Sequence, residues 1–292
     1  FSNVTFFKGL SKVISFGKAR GSYGTSGNDQ IPEYGYLDTY SATSFPYNNA
    51  PGLLISRLFN PNYGWEENKK FEANVEIGLL KDRIFINASY YRNRSSNQLV
   101  GYPLPTITGQ SSLPFYNLPA IVENNGWEME LNGSIIHSKF FRWTTSFNIT
   151  FPKNKLIEYP DLSTSTFADK YIIGLSTYVR MAYHFTGVDP QTGFYTFHDV
   201  NKDDIISQPT DLLGLKTVEK KFYGGLQNSI SYKNFQLDFL FQFVKQTGLN
   251  YLNGFTSVPG ARSNQPTIVL NSWQKAGDVT DIQKYIISSP AY

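Results

Sequence analysis

The sequence contains no cysteine and no apolar run long enough for a membrane helix. Without cysteine, the chain has no disulfide bond, thiolate metal site or cysteine nucleophile. Without a run of about 18 apolar residues it has no transmembrane helix, although β-strands can cross a membrane in about 9–11 residues. Charged residues make up only 17% of the chain, and the net charge of +3 is too small to indicate a nucleic-acid partner.

Aromatic residues are abundant, since 20 Tyr, 23 Phe and 4 Trp account for 16% of the 292 residues. Soluble domains seldom contain so many rings, whereas a membrane barrel uses them in girdles at the two membrane surfaces. The length alone allows one large all-β domain or two ordinary domains.

Alternating strands organise the chain, and the clearest pair surrounds a short turn at Lys81–Arg83. From Phe71 to Leu79 apolar residues alternate with polar ones, and the alternation resumes at Ile84. A period of two predicts a strand with one apolar and one polar face. The same pattern predicts seven long strands, at about 12–27, 71–79, 84–93, 127–134, 143–151, 222–232 and 235–246.

The connections between these strands are of two kinds. Three short turns, at Lys81–Arg83, Ser138–Phe140 and Lys233–Asn234, must lie at one end of an antiparallel sheet. Long segments at 24–63, 100–124, 153–218 and 247–292 lie at the other end, with a short β-ribbon expected near Tyr34–Tyr40. Outer-membrane barrels have this asymmetry, with short periplasmic turns and long extracellular loops. The rings expected near strand ends, as in a girdle, are Trp65, Tyr90, Trp127, Trp143 and Tyr232.

Alternation alone does not separate a membrane barrel from a soluble β-sandwich, because both have one apolar and one polar face. The long strands and unequal connections favour an antiparallel transmembrane β-barrel segment. In a barrel the polar face lines the lumen, where it forms a substrate path or is simply solvated and packed against a plug. The residues predicted to face the lumen are Glu72, Asn74, Glu76, Asn87, Glu128, Glu130, Asn132, Asn148, Gln236 and Asp238.

Asp199, Asn201 and Asp203 have the one-three-five spacing of a calcium-binding loop. Asp204 stands where that loop needs glycine, and Thr210 stands where it needs a bidentate carboxylate. These departures favour an Asx-rich turn over a calcium site.

Catalytic motifs are absent from the sequence. The three histidines lie outside any metal-ligand spacing, and no nucleophile elbow or phosphate-binding loop occurs. Glu128 and Glu130 stand about 7 Å apart on one strand face, but adjacent carboxylates on a lumen wall are commoner than a glycosidase pair. The sequence therefore predicts a protein that is not an enzyme and uses no cofactor, with calcium as the one exception left open.

A series of motifs also occurs along the chain in a fixed order. They are Arg20–Gly24, Trp65-Glu66, Asn87–Tyr91, Gly101–Pro105, Thr108-Gly109, Asn124–Glu128, Gly187–Gly193, Asp199–Asp203, Lys221–Leu226, Ser231–Phe235 and Trp273–Asp278. In this order the sequence resembles the barrel of the SusC/RagA class of TonB-linked outer-membrane transporters of Bacteroidota-type bacteria. The resemblance covers nearly the whole chain.

The resemblance implies that residues 1–292 form part of one barrel domain of about 22 strands, with the plug and closing strands outside this segment. It implies active import of a glycan or peptide nutrient, driven by TonB through a region outside this segment. A surface lipoprotein of the SusD type would close over the extracellular loops, and outer-membrane lipid would surround the barrel. The alternatives are a soluble secreted β-sandwich that binds carbohydrate and a passive porin.

Rings in the predicted extracellular loops form the last set of candidate residues. They would contact a ligand or the lipoprotein lid, or else fold the loops on themselves. These rings are Tyr102, Phe115, Tyr116, Tyr171, Tyr178 and Phe255.

Overall fold

The computed structural model describes residues 13–29, 31–44, 48, 50–103, 107, 112–248 and 262–285, apart from the side chains of residues 112–115 and 215. No helix among these residues is long and apolar enough to cross a membrane. They form two compact units. The first, the sheet unit, contains the described residues up to Thr177 together with Glu219–Gln246. The second, the loop unit, contains Tyr178–Val218 and the described residues from Thr247 onward.

Strands dominate the sheet unit, and the loop unit contains four short ones among its described residues. In chain order those of the described residues are β1 (Ile14–Asn28), β2 (Thr39–Ala42), β3 (Leu53–Arg57), β4 (Glu66–Leu79), β5 (Ile84–Ser96), β6 (Gln98–Pro103), β7 (Ser112–Leu118), β8 (Ile121–His137), β9 (Phe141–Glu158), β10 (Val179–Tyr183), β11 (Phe185–Val188), β12 (Tyr195–Phe197), β13 (Leu212–Thr217), β14 (Lys220–Tyr232) and β15 (Phe235–Gln246). Seven of them form one antiparallel sheet in the order β1-β4-β5-β8-β9-β14-β15. The prediction of an antiparallel all-β fold with seven long strands is therefore confirmed.

The strands are longer than the alternation predicts. β8 begins at Ile121 rather than near Trp127, and β9 runs to Glu158. Pairing continues because backbone hydrogen bonds do not require apolar side chains, as where Arg94 pairs with Glu123. The expectation that Trp127 and Tyr90 lie near strand ends was wrong, because the strands extend past both residues.

The three predicted short turns all lie at one end of the sheet, here named the short-turn end. The β4–β5 turn requires three consecutive residues with positive φ, which are Leu80, Lys81 and Asp82 at 52°, 60° and 61°. The opposite, long-loop end contains two β-ribbons, β2–β3 and β6–β7. The ribbon expected at Tyr34–Tyr40 is wrong in position, because residues 32–37 form turns in which Gly35 N donates to Pro32 O and Leu37 N to Tyr34 O.

The core of the sheet unit does not lie on the sheet's apolar face. Large apolar residues on that face are exposed, with Trp127 at 50%, Met129 at 43% and Phe241 at 62%. The buried apolar residues instead cluster at the long-loop end, here named the loop cluster. Its members are Leu118, Ala120, Leu156, Tyr159 and Phe167.

The loop unit contains two short strand pairs, β10–β13 and β11–β12. The turn after β11 is covered by Trp273, whose indole nitrogen donates to Pro190 O at 2.9 Å. Gly193 has a φ of 74° there, and a Cβ atom would lie 2.5 Å from the indole ring. The positive φ and the close approach both explain why glycine occupies this position. Two motifs far apart in the sequence are thus joined in one contact.

Candidate functional site

The polar face of the sheet brings together all ten residues predicted to face a lumen. One row across the strands shows the register, since Glu76 pairs with Asn87, Asn87 with Glu130, and Glu130 with Asn148. Residues that pair directly point to the same side of a sheet, and positions two apart on a strand share that side. The other six predicted residues follow from neighbouring rows by the same rule. They are Glu72, Asn74, Glu128, Asn132, Gln236 and Asp238.

Asn74 is the centre of a hydrogen-bond network on this face. Its amide donates to Asn87 Oδ1 at 2.5 Å and to Ser89 Oγ at 2.7 Å. Arg20 donates to Asn74 Oδ1 at 3.3 Å and forms an ion pair with Glu76. Only 6% of Asn74 is exposed, so these bonds replace the water that its amide would otherwise contact. The network fixes the side chains of three adjacent strands.

Carboxylates outnumber cations on the rest of the polar face. Glu72, Glu128, Glu130 and Asp238 are exposed. Two of them accept a bond from a neighbour on the same strand, Glu130 from Asn132 at 2.7 Å and Asp238 from Gln236 at 2.8 Å. The face is therefore a hydrated wall with an acidic surface.

A shallow hollow of about 580 Å³ lies over β14 and β15 on the polar side. Gly225 forms part of its lining, and Asn148, Tyr223, Gln227 and Gln242 surround the glycine. Polar groups and one ring at a hollow of this kind can bind a hydrated ligand through hydrogen bonds and stacking.

The apolar face is bounded by rings at two levels. The upper aromatic row consists of Tyr90, Trp127, Phe151 and Phe222, whose neighbouring rings lie 5.2 Å (Tyr90 to Trp127) and 5.9 Å (Phe151 to Phe222) apart. The lower aromatic row, at the short-turn end, consists of Phe141, Tyr232 and Phe235.

The residues between these rows are mainly aliphatic, aromatic or small. Asn228 is an exception, but it is only 6% exposed and accepts a bond from Trp143 Nε1 at 3.0 Å. On β9 the two rows are ten residues apart, which is about 33 Å along the strand and about 25 Å along the normal for a tilt of about 40°. That height equals the apolar band of outer-membrane barrels.

The predicted loop rings occupy different environments. Tyr102 lies 4.8 Å from Tyr116 and 5.6 Å from Phe167 between ring centroids, and Tyr171 lies 5.7 Å from Phe167. Tyr102 and Tyr171 thus pack against the loop cluster, and Tyr116 contacts Tyr102. Tyr178, in the loop unit, is 54% exposed. The side chain of Phe115 and the whole of Phe255 lie outside the described part of the chain.

The loop cluster folds over the polar side of the sheet. Val122 pairs with Leu156, and both continue the face on which Asn124 pairs with Asn154. Leu156 is 2% exposed within the cluster, and Val122 packs against it. The rings of the long β5–β8 and β9–β14 connections therefore order the loops above the polar face.

The Asp199 loop is closed by side chain to backbone hydrogen bonds. Asp199 accepts from Lys202 N at 2.6 Å and Asp204 N at 2.7 Å, and Asp203 accepts from Ile205 N at 2.9 Å. Asn201 donates to Asp203 Oδ2 at 2.8 Å. This is the pattern of an Asx-rich turn, in which the oxygens that would bind calcium accept N–H groups of the loop itself.

Asp211 is the residue of this loop that spacing alone did not identify as important. It is fully buried, at 0% exposed, and accepts from Val200 N and Ser207 N, each at 2.8 Å. These two N–H groups, with that of Ser207 the larger effect, hold the pKa of its carboxyl below the usual value. The sequence feature that could have indicated its role is its position, one residue after Thr210, where a calcium loop would have its bidentate carboxylate.

A profile of the family described as TonB dependent receptor-like, beta-barrel, matches residues 7–228. The chain belongs to this family. TonB-dependent receptor P3 of Formosa agariphila is 26% identical over 94% of the chain, and SusC of Bacteroides thetaiotaomicron is 27% identical over 73%. The chain covers 30% and 22% of the length of these two relatives.

Solved structures agree with the family at the level of the fold. The RagAB peptide transporter aligns with 96% of the chain at a TM-score of 0.76 and 23% identity, and the chain covers 32% of that structure. The RagAB peptide importer in its closed-closed state aligns at 0.77 and 24% identity. The sequence-based resemblance to SusC/RagA transporters is thus confirmed for this TonB-dependent receptor barrel, and its relatives are receptors and transporters rather than enzymes.

Proposed function

We propose that this chain forms part of the wall of an outer-membrane transporter that imports a glycan or peptide nutrient with energy from TonB. The observation that carries the proposal is the apolar band of about 25 Å between the two aromatic rows. A strand face that is apolar, exposed and bounded by rings fits a lipid contact. The opposite face, acidic and hydrogen-bonded, fits a hydrated lumen.

The soluble sandwich is the weaker alternative. A sandwich buries the apolar faces of two sheets against each other. Here Trp127, Met129 and Phe241 remain well exposed on the apolar face, and the buried cluster lies over the polar side instead. Lipid would cover the exposed rows without a second protein layer.

The polar groups available are compatible with either class of nutrient. The hollow beside Gly225 offers amides and one tyrosine ring, which suit the hydroxyl groups of a glycan or the amides of a peptide equally well. The resemblance of the sequence to the SusC/RagA class implies a glycan or a peptide, and the RagAB structure with the same fold is that of a peptide transporter. A SusD-like lipoprotein closing on the long-loop end is part of the same proposal.

Membrane placement can be tested by labelling single cysteines with a membrane-impermeant thiol reagent on whole cells. In a full-length protein free of other cysteines, Ser163→Cys in the exposed β9–β14 loop should react, and Asn234→Cys in the short β14–β15 turn should not. The reverse pattern would invert the topology. Labelling of both residues would show that the chain does not span the membrane and would favour the sandwich.

Energy coupling can be tested separately by uptake of fluorescent oligosaccharides and oligopeptides. Cells with the full-length protein should accumulate one of the two classes, and a deletion strain should not. Uptake should stop when the proton gradient is collapsed. Uptake that continues would identify a passive porin.

A further inference from the structure

On the side of the sheet that carries the apolar band, the residues directly beyond the upper aromatic row are mainly polar and basic. The next row away from the short-turn end pairs Phe71 with Arg92, Arg92 with Asn125, and Asn125 with Lys153. In the row after that Lys69 pairs with Arg94, Arg94 with Glu123, and Glu123 with Lys155. Strand register therefore gathers five cations from β4, β5 and β9 across four adjacent strands, on the same side as the apolar band. They form the basic belt, which consists of Lys69, Arg92, Arg94, Lys153 and Lys155.

The two arginines of the belt are held side by side by one carboxylate. Arg92 Nε and Arg94 Nε donate to Glu123 Oε2 at 2.7 Å and 2.6 Å. Each bond uses one of the five N–H groups of a guanidinium. The arginine side chains are still 41% and 42% exposed, whereas that of Glu123 is 11% exposed. Glu123 thus orients both guanidiniums and leaves them open to a further anion.

The belt carries an excess of positive charge. Lys69 contacts Glu67 at 3.3 Å but keeps a side chain that is 49% exposed. Lys153 and Lys155 are exposed as well. Glu123 lies in the second of these rows, and Glu67, one row further on, contacts Lys69. Against these two carboxylates the five cations of the belt leave a net charge of +3.

The basic belt stands at and just beyond the height of lipid headgroups. Neighbouring rows are two residues apart, which is about 7 Å along a strand and about 5 Å along the membrane normal at a tilt of about 40°. The cations therefore stand about 5 Å and about 10 Å beyond the upper aromatic row. The headgroup zone of a bilayer extends roughly 5–7 Å beyond the hydrocarbon on each side. Arg92 and Lys153 therefore lie within this zone, and Lys69, Arg94 and Lys155 lie just outside it, where their long side chains can reach back to it.

We propose that the basic belt binds the phosphate groups of a phosphorylated glycolipid in the outer leaflet. The inference rests on the membrane placement proposed above. A lipid is the occupant because the belt continues directly from the apolar band, so one molecule can place its chains on Met129 and Ile149 and its phosphates on the arginines. Paired guanidiniums suit a phosphate, whose oxygens accept two parallel N–H bonds.

The test uses the full-length transporter in detergent and a diphosphorylated lipid A-type glycolipid, with binding measured by native mass spectrometry. The variant Lys153→Gln/Lys155→Gln removes two exposed cations of the belt and keeps the Arg92–Glu123–Arg94 contacts. The matched control, Lys18→Gln/Lys70→Gln, removes two cations from the polar face of the same sheet. The belt variant should bind the glycolipid about tenfold more weakly, and the control should bind it as the unchanged protein does.

Two further arms identify the ligand. Enzymatically dephosphorylated glycolipid should bind all three proteins weakly and equally, and millimolar inorganic phosphate should not displace the intact glycolipid. An equal loss of glycolipid binding in the belt variant and the control would overturn the inference. So would equal binding of the phosphorylated and dephosphorylated lipids by the unchanged protein. Displacement by inorganic phosphate would mean a site for free anions and would also overturn it.

The membrane placement is checked independently in the same proteins by the labelling of Ser163→Cys and Asn234→Cys. If the labelling pattern holds and glycolipid binding does not depend on the belt, the belt inference alone fails. If the labelling pattern fails, the proposed placement fails with it.

Discussion

In the seven-stranded sheet β8 and β9 pair from Ile121 to His137, whereas in the loop unit β10–β13 and β11–β12 pair over five and three residues. The sheet separates a polar face with one hydrogen-bond network from an apolar face that is largely exposed. The loop unit is held instead by carboxylates that accept backbone N–H groups, such as Asp199 and Asp211. The stability of the sheet therefore depends on the environment that each of its two faces meets. The stability of the loop unit depends on hydrogen bonds between residues that are close in the sequence.

The largest effect should come from placing a charge on the apolar face. Phe241 pairs with Leu226 and lies in the middle row of the apolar band. Phe241→Arg should destabilise the inserted protein by about 2–4 kcal/mol, because a cation near the membrane midplane loses its hydration. The measurement is the amount of folded full-length protein in the outer membrane, scored by heat-modifiable gel mobility.

Leu240→Arg is the matched control for this change. Leu240 is also apolar and exposed, at 55%, but its partner Gln227 lies on the polar face. The control should insert normally. Equal loss of both variants would show that the two faces do not meet different environments.

The second effect concerns the network of the polar face. Asn74→Leu removes the acceptor of Arg20 and the donor to Asn87 and Ser89. Buried groups left without partners cost about 1–3 kcal/mol, so the barrel should unfold at a lower temperature in detergent. Glu72→Leu, at an exposed position on the same strand and face, should have little effect. A fall of the same size in Glu72→Leu would mean that any loss of polarity on this face is harmful.

Sequence reasoning works well for the sheet and less well for the loops, for a physical reason. A period of two fixes which side chains share a face, so Glu76, Asn87 and Glu130 could be grouped before any register was known. The loop tyrosines could not be located in this way. Tyr102 meets Phe167 through a long-range contact between two connections, which no local pattern predicts.

Strand ends were also beyond the sequence pattern. Alternation of apolar and polar residues stops near Trp127, but pairing continues to Ile121 with polar residues on both faces. This extension contains Glu123 of the basic belt. The contact of Glu123 with Arg92 and Arg94 could therefore be recognised only after the strand register was known.

The third effect is local to the loop unit. Because the two N–H groups lower the pKa of Asp211, its carboxylate stabilises the loop above the usual aspartate pKa of about 3.9, and this contribution is lost as the pH falls through the lowered pKa. Asp211→Asn keeps one acceptor and puts an amide donor against the other N–H. In the variant, hydrogen exchange at Val200 or Ser207 should become faster at neutral pH. The unchanged protein should lose its protection at these amides as the pH is lowered, whereas the variant should show no such acid-dependent loss. Asp204→Asn, at an exposed position, is the control and should exchange normally.

The smallest effect is expected from calcium. If Asp199, Asn201 and Asp203 form an Asx-rich turn, their oxygens already accept or neighbour N–H donors of the loop, so an ion would have to break those bonds. Titration of the full-length protein with calcium should show no saturable binding in the micromolar range, and Asp199→Ala should loosen the loop whether or not calcium is present. Tight binding that Asp199→Ala abolishes would show that the loop is a calcium site. In that case an ion, and not local hydrogen bonding alone, would order this part of the loop unit.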